Sequence, residues 1–192
     1  MRRFICLIDR LNERIGHGVA WIALAMVLVQ FLVVVMRYVF AIGNIALQES
    51  IWYMHGILFM VGAGYTLLHN GHVRVDVIYG DASPRYKALV DVFGSLVFLL
   101  PVTAATLWLS WDYVINAWKV WEGSTEVSGL PLIWAYKTVI WVFAVLVFLQ
   151  GLSMLFKALG YLKGAEKTYP VPPCVKGAGA GDGDPEQVRE EV

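Results

Sequence analysis

The sequence predicts an all-α integral membrane protein with four transmembrane helices. Of its 192 residues, 58% are hydrophobic and only 16% are charged, whereas a soluble domain carries about a quarter charged residues. Four apolar segments are long enough to cross a membrane, and the basic residues lie mainly on one side of them. The formal net charge of zero gives no support to nucleic-acid binding.

The first element is a predicted amphipathic arm over residues 1–18. Phe4, Ile8, Leu11 and Ile15 recur at helical spacing on one face, with charged residues elsewhere. Such a helix lies along the inner membrane surface or packs against a partner subunit, and the sequence leaves both open.

The transmembrane domain is predicted to occupy residues 19–162. Each of its four apolar spans holds about 18 residues or more, enough at about 1.5 Å per residue to cross about 30 Å of hydrocarbon. The first is too long for a cleavable signal peptide. Ser83 followed by Pro84 predicts a capped start of the third helix ahead of its apolar stretch. The spans are 19–40, 51–68, 88–111 and 133–156.

The distribution of lysine and arginine predicts the orientation. Basic residues cluster in the arm, in the loop between the second and third spans, and in the tail, whereas the other two connections hold only Lys119. The positive-inside rule therefore predicts that both termini are cytoplasmic.

The tail, residues 163–192, is rich in Gly, Pro, Asp and Glu and is predicted to be a disordered cytoplasmic segment. Cys6 and Cys174 would both lie in the cytoplasm, where thiols normally stay reduced. We therefore expect no disulfide, and the cysteine spacing predicts no metal site.

Polar groups near mid-membrane are few and neutral. Gln30, Thr103, Thr106 and Gln150 are expected to form hydrogen bonds between helices. An autonomous small four-helix transporter would need an acidic residue within a span, so we keep that function only as an alternative.

Three ionisable residues fall at similar depth near the outer helix ends: Arg37, Glu49 and Lys137. A partly buried Glu49 would need a cation, so we predict an ion pair with Arg37 or Lys137. The alternative is that each side chain reaches the headgroups separately.

Tryptophans are concentrated at the same outward ends. Trp111, Trp118, Trp121 and Trp134 are explained by an ordinary interfacial belt. The alternative is a docking surface for a partner on the outer side.

His17 falls at the inner end of the first helix, and His69 and His72 fall at the inner end of the second. Two histidines on neighbouring helices can ligate a b-type haem, so a haem-binding membrane anchor is a further alternative. However, His17 lies beside charged residues at the membrane edge, and His72 lies beyond the helix. We expect no cofactor and no enzymatic activity.

A family resemblance rests on two motifs around the second helix. Gln48-Glu49 opens that helix, and Gly71-His72-Val73-Arg74-Val75-Asp76 follows it. Together with the four-span layout, these motifs resemble the DctQ-type small membrane subunit of TRAP transporters from Leu11 to about Leu155. Gly129-Leu130-Pro131, Lys137 and Leu149-Gln150-Gly151 are similar to the mannitol/chloroaromatic branch.

The resemblance implies a tripartite, ATP-independent uptake system for an organic acid or related solute. A periplasmic DctP-type binding protein would deliver the solute to a large DctM-type subunit, which holds the substrate and ion sites. The small subunit would be a multi-pass protein of the bacterial inner membrane and would brace the stationary scaffold in the lipid. The resemblance implies structural or interface roles for Gln48, Glu49, Gly71, His72, Arg74 and Asp76.

Overall fold

A computed structural model describes residues 2–72, 82–165 and 168–175. These residues contain helices and no strands. Four helical stretches are long and apolar enough to span a membrane, which confirms the predicted fold class: Arg2–Val39, Ile45–Leu68, Pro84–Lys119 and Ile133–Leu162. The elements are α1 Arg2–Val39, α2 Ile45–Leu68, α3 Pro84–Gly94, the π-helical turn π1 Ser95–Leu99, α4 Leu100–Leu109, α5 Trp111–Lys119 and α6 Ile133–Leu162.

Helix α1 joins the predicted arm and the first span without a break. Its 38 residues extend over about 57 Å at about 1.5 Å per residue, well beyond the hydrocarbon thickness. The arm buries Ile5, Ile8, Asp9 and Asn12, while Phe4 is exposed. The structure therefore differs from a separate surface helix, because the buried face includes polar groups that contact α6.

Helix α2 has capping interactions at both ends. The Asn44 side chain accepts a hydrogen bond from the Leu47 N–H at 3.0 Å. At the other end Asn70 has φ 53°, and the Gly71 N–H donates to the Thr66 carbonyl at 2.8 Å. This is a Schellman motif, in which Asn70, rather than Gly71, adopts the left-handed conformation that ends the helix.

The third span is helical from Pro84 to Lys119, with a wide turn in the middle. Ser83 caps α3 as predicted, accepting from the Tyr86 N–H at 3.4 Å. In π1 the Leu100 N–H bonds to the Ser95 carbonyl, ahead of Pro101, which has no N–H to donate. A π-helical turn relieves the clash between a proline ring and the carbonyl four residues earlier.

The threonine hydroxyls of this span bond within their own helix and not to a neighbouring helix. The hydroxyls of Thr103 and Thr106 donate to the carbonyls of Leu99 and Val102 in their own helical stretch, both at 2.8 Å. The prediction that they bridge helices is wrong, because a threonine hydroxyl reaches the preceding turn of its own helix more easily. Gln30 is exposed on α1.

Helix α6 is the centre of the bundle. It contacts every other helical element, and its span is more buried than the other three. Small residues on its buried face allow close approach of the neighbouring helices. These are Ala144, Gly151, Ser153 and Ala158.

The bundle has two ends, which we name by their chain segments. The hairpin end carries the connections 40–44 and 120–132, and the terminal end carries residues 2–17, 69–72, 150–165 and 168–175. At the terminal end Cys6 and Cys174 form a disulfide, with their Cα atoms 5.0 Å apart.

The expectation that no disulfide forms is therefore wrong for this structure. It rested on compartment alone, and the sequence did not predict that residues 168–175 fold back onto α1. These residues lie within the segment for which disorder was predicted, whereas residues 176–192 fall outside the described residues.

Candidate functional site

Two groups of polar and charged side chains connect elements of the bundle, one at each end. We define the hairpin cluster as Glu49, Glu122, Ser124 and Lys137 with the backbone of Leu130. We define the terminal cluster as Asp9, Asn12, Gln150, Ser153 and Lys157.

Glu49 is at the centre of the hairpin cluster. It lies on the second turn of α2 and is 9% exposed. The Leu130 N–H donates to Glu49 Oε2 at 2.6 Å, and the Ser124 hydroxyl donates to Oε1 in a short hydrogen bond. The carboxylate therefore fixes the connection 120–132 against α2, and its charge is stabilised by two neutral donors.

Lys137 binds a different carboxylate. Its Nζ lies 2.6 Å from Glu122 Oε2 and 3.9 Å from the centre of the Tyr113 ring. Arg37 is exposed at the end of α1, and Glu49 contacts neither cation. The predicted ion pair is wrong because the connection 120–132 supplies both the donors for Glu49 and the acid for Lys137.

Glu49 and Lys137 both line a cavity of about 430 Å³. It lies between α2, α5, α6 and the connection 120–132. Aromatic and apolar side chains form most of the remaining wall, including Trp52, Tyr53, Met60 and Tyr136.

Three of the four tryptophans considered as a docking surface contact one another at the hairpin end. The Trp118 and Trp134 ring centres are 4.4 Å apart, and those of Trp121 and Trp134 are 4.9 Å apart. Trp118 Nε1 donates to Thr138 Oγ1 at 2.8 Å, which attaches the group to α6. Trp111 instead stacks on Trp141 at 4.8 Å, so it belongs to a different contact.

The terminal cluster is more deeply buried. Asp9 is 0% exposed and accepts from Ser153 Oγ at 2.8 Å and from Lys157 Nζ at 2.7 Å. Asn12 Nδ2 donates to Gln150 Oε1 at 2.8 Å. These contacts join α1 to α6, and they confirm the interhelical role predicted for Gln150.

Asp9, Asn12, Ser153 and Lys157 were not identified as site residues from the sequence. Asp9 and Asn12 are one turn apart on α1, and Ser153 and Lys157 one turn apart on α6. Matching polar faces on two helices are a signal that they contact each other. In the arm, however, the apolar residues Phe4, Ile8 and Leu11 predicted the buried face, and of these three only Ile8 is buried.

The family assignment follows from a comparison with known protein families. Residues 26–160, more than half of the chain, match the family described as Tripartite ATP-independent periplasmic transporters, DctQ component. The chain belongs to the DctQ family. It is therefore the small subunit of a TRAP transporter and a multi-pass membrane protein, and members of its family work with DctM and DctP components. No curated protein and no solved structure matches the chain.

The two clusters lie differently with respect to the DctQ match. The hairpin cluster falls entirely within residues 26–160, whereas Asp9 and Asn12 precede the matched segment. The hairpin cluster therefore belongs to the part of this DctQ chain that resembles its family. The two α1 residues of the terminal cluster, Asp9 and Asn12, lie outside the matched segment.

The motif residues that carried the resemblance lie at the two ends of α2. Gln48 is exposed beside the α1–α2 connection, and His72 is exposed where the chain leaves the helix. A Cβ on Gly71 would lie 3.2 Å from Thr66 Cγ2, so the glycine permits a close approach of the chain. Arg74 and Asp76 lie outside the described residues.

Two of the three histidines considered for haem, His17 and His69, contact Glu13. Its carboxylate lies 2.7 Å from His69 Nε2 and 3.2 Å from His17 Nε2. His69 thereby joins α2 to α1. Within the described ranges, no group of three or more His, Cys, Asp or Glu side chains forms a metal-binding arrangement.

Proposed function

We propose that this DctQ protein is a scaffold subunit that supports the large membrane subunit during ion-coupled uptake of an organic acid or related solute. The proposal rests first on the position of the charges. The stretches 18–36, 50–68, 92–111 and 138–156 contain no Asp, Glu, Lys or Arg. Acidic and basic residues within spans mark the ion and proton pathways of transporters, and their absence from these stretches leaves only amide and hydroxyl groups, aromatic polar atoms and one histidine, His55.

The polar clusters support the same proposal. Each joins elements of the bundle at one end: α2, the connection 120–132 and α6 at the hairpin end, and α1 with α6 at the terminal end. A subunit held at both ends resists relative motion of its helices. Resistance of this kind suits a stationary support against which a larger subunit moves.

An exposed apolar surface is available for the large subunit and for lipid. Along α1 large hydrophobic side chains face outward, and Trp21 is 72% exposed. Other outward-facing side chains on α1 are Leu24, Val27, Leu28, Phe31 and Leu32. Lipid and a partner helix both fit such a surface, so we assign the partner contact to part of it.

We further propose that both termini lie in the cytoplasm and the hairpin end faces the periplasm, as the basic residues predict. In that orientation Trp118, Trp121 and Trp134 form the docking surface for the DctP-type binding protein. Membership of the mannitol/chloroaromatic branch stays a prediction. The same holds for partner contacts by Gln48, His72, Arg74 and Asp76.

The experiment is co-purification from native membranes. An affinity-tagged copy solubilised in mild detergent is expected to recover a much larger polytopic protein in constant ratio. Recovery of the tagged chain alone as a stable homodimer would contradict the scaffold proposal and favour the autonomous transporter. A Soret absorption band in the purified chain would favour the haem-binding anchor instead.

A further inference from the structure

Residues 168–175, which we name the strap, lie outside the DctQ match and cross the terminal end of the bundle. The Tyr169 hydroxyl donates to Asp91 of α3 in a short hydrogen bond. The Tyr169 ring lies 5.2 Å from that of Tyr161 on α6. The strap therefore contacts two of the helices that meet at this end.

The far end of the strap reaches α1 and the terminal cluster. The Cys174 N–H donates to Asp9 Oδ2 at 3.0 Å, the oxygen that also binds Lys157. Cys174 is joined to Cys6, one turn before Asp9 on α1. Both cysteine residues are partly exposed rather than buried in the bundle.

We infer that Cys6 and Cys174 form a reversible thiol–disulfide site that fastens the strap over Asp9. Four contacts carry the inference: the sulfur pairing, the Cys174 hydrogen bond to Asp9, the Tyr169 hydrogen bond to Asp91 and the Tyr161–Tyr169 ring contact. The last three do not require the sulfur bond. They keep the two thiols close together in the reduced protein, which favours intramolecular closure over reaction between chains.

The co-reactant is a small disulfide of the glutathione class. One cysteine thiolate attacks that disulfide, which gives a mixed disulfide and releases one small thiol. The second cysteine thiolate then displaces the other small thiol. In total two protein thiols are oxidised to one disulfide, one small disulfide is reduced to two thiols, and the two cysteine protons end on those thiols.

Closure of the site has a mechanical consequence. The bond links residues 168 positions apart in sequence, so it restricts the unfolded chain strongly. It also holds the strap over the buried Asp9–Lys157 pair. The oxidised protein should therefore unfold at a temperature at least about 5 °C higher than the reduced protein.

Thiol trapping tests whether the site is reversible. Cells expressing the complete transporter are quenched in acid, and free thiols are labelled with a maleimide-linked polyethylene glycol that shifts the band on a gel. The cytoplasmic location of both termini, on which this step rests and which is proposed above, predicts two adducts in untreated cells. Membranes incubated with glutathione disulfide should then show none, and added dithiothreitol should restore both.

Three results would overturn the inference. A chain without adducts in untreated cells would have a permanent structural disulfide rather than a reversible one. Two adducts that persist after glutathione disulfide would show that the thiols do not pair. Cross-linked dimers on a non-reducing gel would show that pairing occurs between chains.

The cysteine variants separate pairing from simple oxidation. Cys6→Ser and Cys174→Ser should each keep one glutathione as a mixed disulfide, and neither should show the rise in unfolding temperature on oxidation. The Cys6→Ser, Cys174→Ser double variant should melt at one temperature with or without reductant. A rise of equal size in the single variants would contradict a bond between these two residues.

Discussion

At the scale of single residues, the hairpin end depends on how Glu49 is stabilised. Its carboxylate is nearly buried, and neutral donors from the connection 120–132 hold it, while Lys137 binds Glu122. A buried charge without a formal counter-ion is stable only when its hydrogen bonds are complete. The fold of this connection is therefore coupled to the charge of Glu49.

Glu49→Gln tests that coupling. The new amide can accept from the Leu130 N–H through its one oxygen, but its N–H group then faces Ser124, whose hydroxyl must accept instead of donate, and neither hydrogen bond is to a charged group any longer. Hydrogen bonds to charged groups contribute about 1.5–3 kcal/mol each, so we expect the free energy of unfolding to fall by about that amount. Thermal unfolding in detergent measures the change.

Glu126→Gln is the matched control for that substitution. Its side chain is exposed in the same connection, so its effect should stay within about 0.5 kcal/mol. Equal unfolding temperatures for the two variants would refute the role assigned to Glu49.

Asp9→Asn tests the terminal cluster. The substitution removes the charge that faces Lys157, a side chain only 11% exposed. An uncompensated buried cation costs about 3–5 kcal/mol, so we expect a large loss of stability. Asp112→Asn, at an exposed position on α5, should have little effect.

A double variant distinguishes the charge of Asp9 from its hydrogen bonds in the terminal cluster. Asp9→Asn combined with Lys157→Met removes both charges and keeps similar volumes, so stability should recover in large part. Failure to recover would mean that the hydrogen bonds of Asp9 to Ser153 and to the Cys174 N–H matter more than its charge.

At the scale of the helices, α1 and α2 approach closely through glycine. A Cβ on Gly64 would collide with Asn12 Oδ1 and would lie 3.3 Å from Leu146 Cβ, whereas a Cβ on Gly62 meets only Val19 at 3.9 Å. Helices in membranes associate through such small residues, which let backbones come near. The two positions are two residues apart on one helix and differ in their surroundings.

Gly64→Ala should therefore separate α1 from α2, and Gly62→Ala should not. Overpacking of this kind costs about 1–3 kcal/mol, and Ala at the open position is a better helix former. Unfolding temperatures of the two variants measure the difference. A Gly64→Ala protein as stable as the wild type would contradict the close packing of Asn12 against α2.

The tryptophan group belongs to the same scale, because α5, α6 and the connection between them present it together. If it is the docking surface, Trp121→Ala should weaken binding of the periplasmic partner by about tenfold or more without changing the unfolding temperature. Trp52→Ala is the control, because both side chains are 66% exposed and Trp52 lies outside the group. Surface plasmon resonance on the reconstituted membrane complex measures both.

At the scale of the whole molecule, the spans and the family were predictable because each depends on a local property. Length and hydropathy predicted the four helices, Ser83 and Pro84 predicted the start of α3, and the motifs around α2 predicted the DctQ family. These features are contained in short segments of the sequence, so they needed no knowledge of how the helices pack.

The partners of the charged groups were not predictable in the same way. Glu49 bonds to residues 75 and 81 positions away, and Asp9 to a backbone 165 positions away. Depth in the membrane suggested that Glu49 and Lys137 lie at one level. It did not predict that residues 120–132 fold between the helices, or that the tail returns to α1.

Solute uptake into reconstituted vesicles tests the central claim most directly. The probe is a radiolabelled organic acid that stabilises the periplasmic binding protein in a thermal-shift screen. When an ion gradient is imposed, vesicles with both membrane subunits and the binding protein should accumulate the organic acid. Vesicles with this chain alone should not. Accumulation by this chain alone, or full uptake by the large subunit without it, would contradict the account.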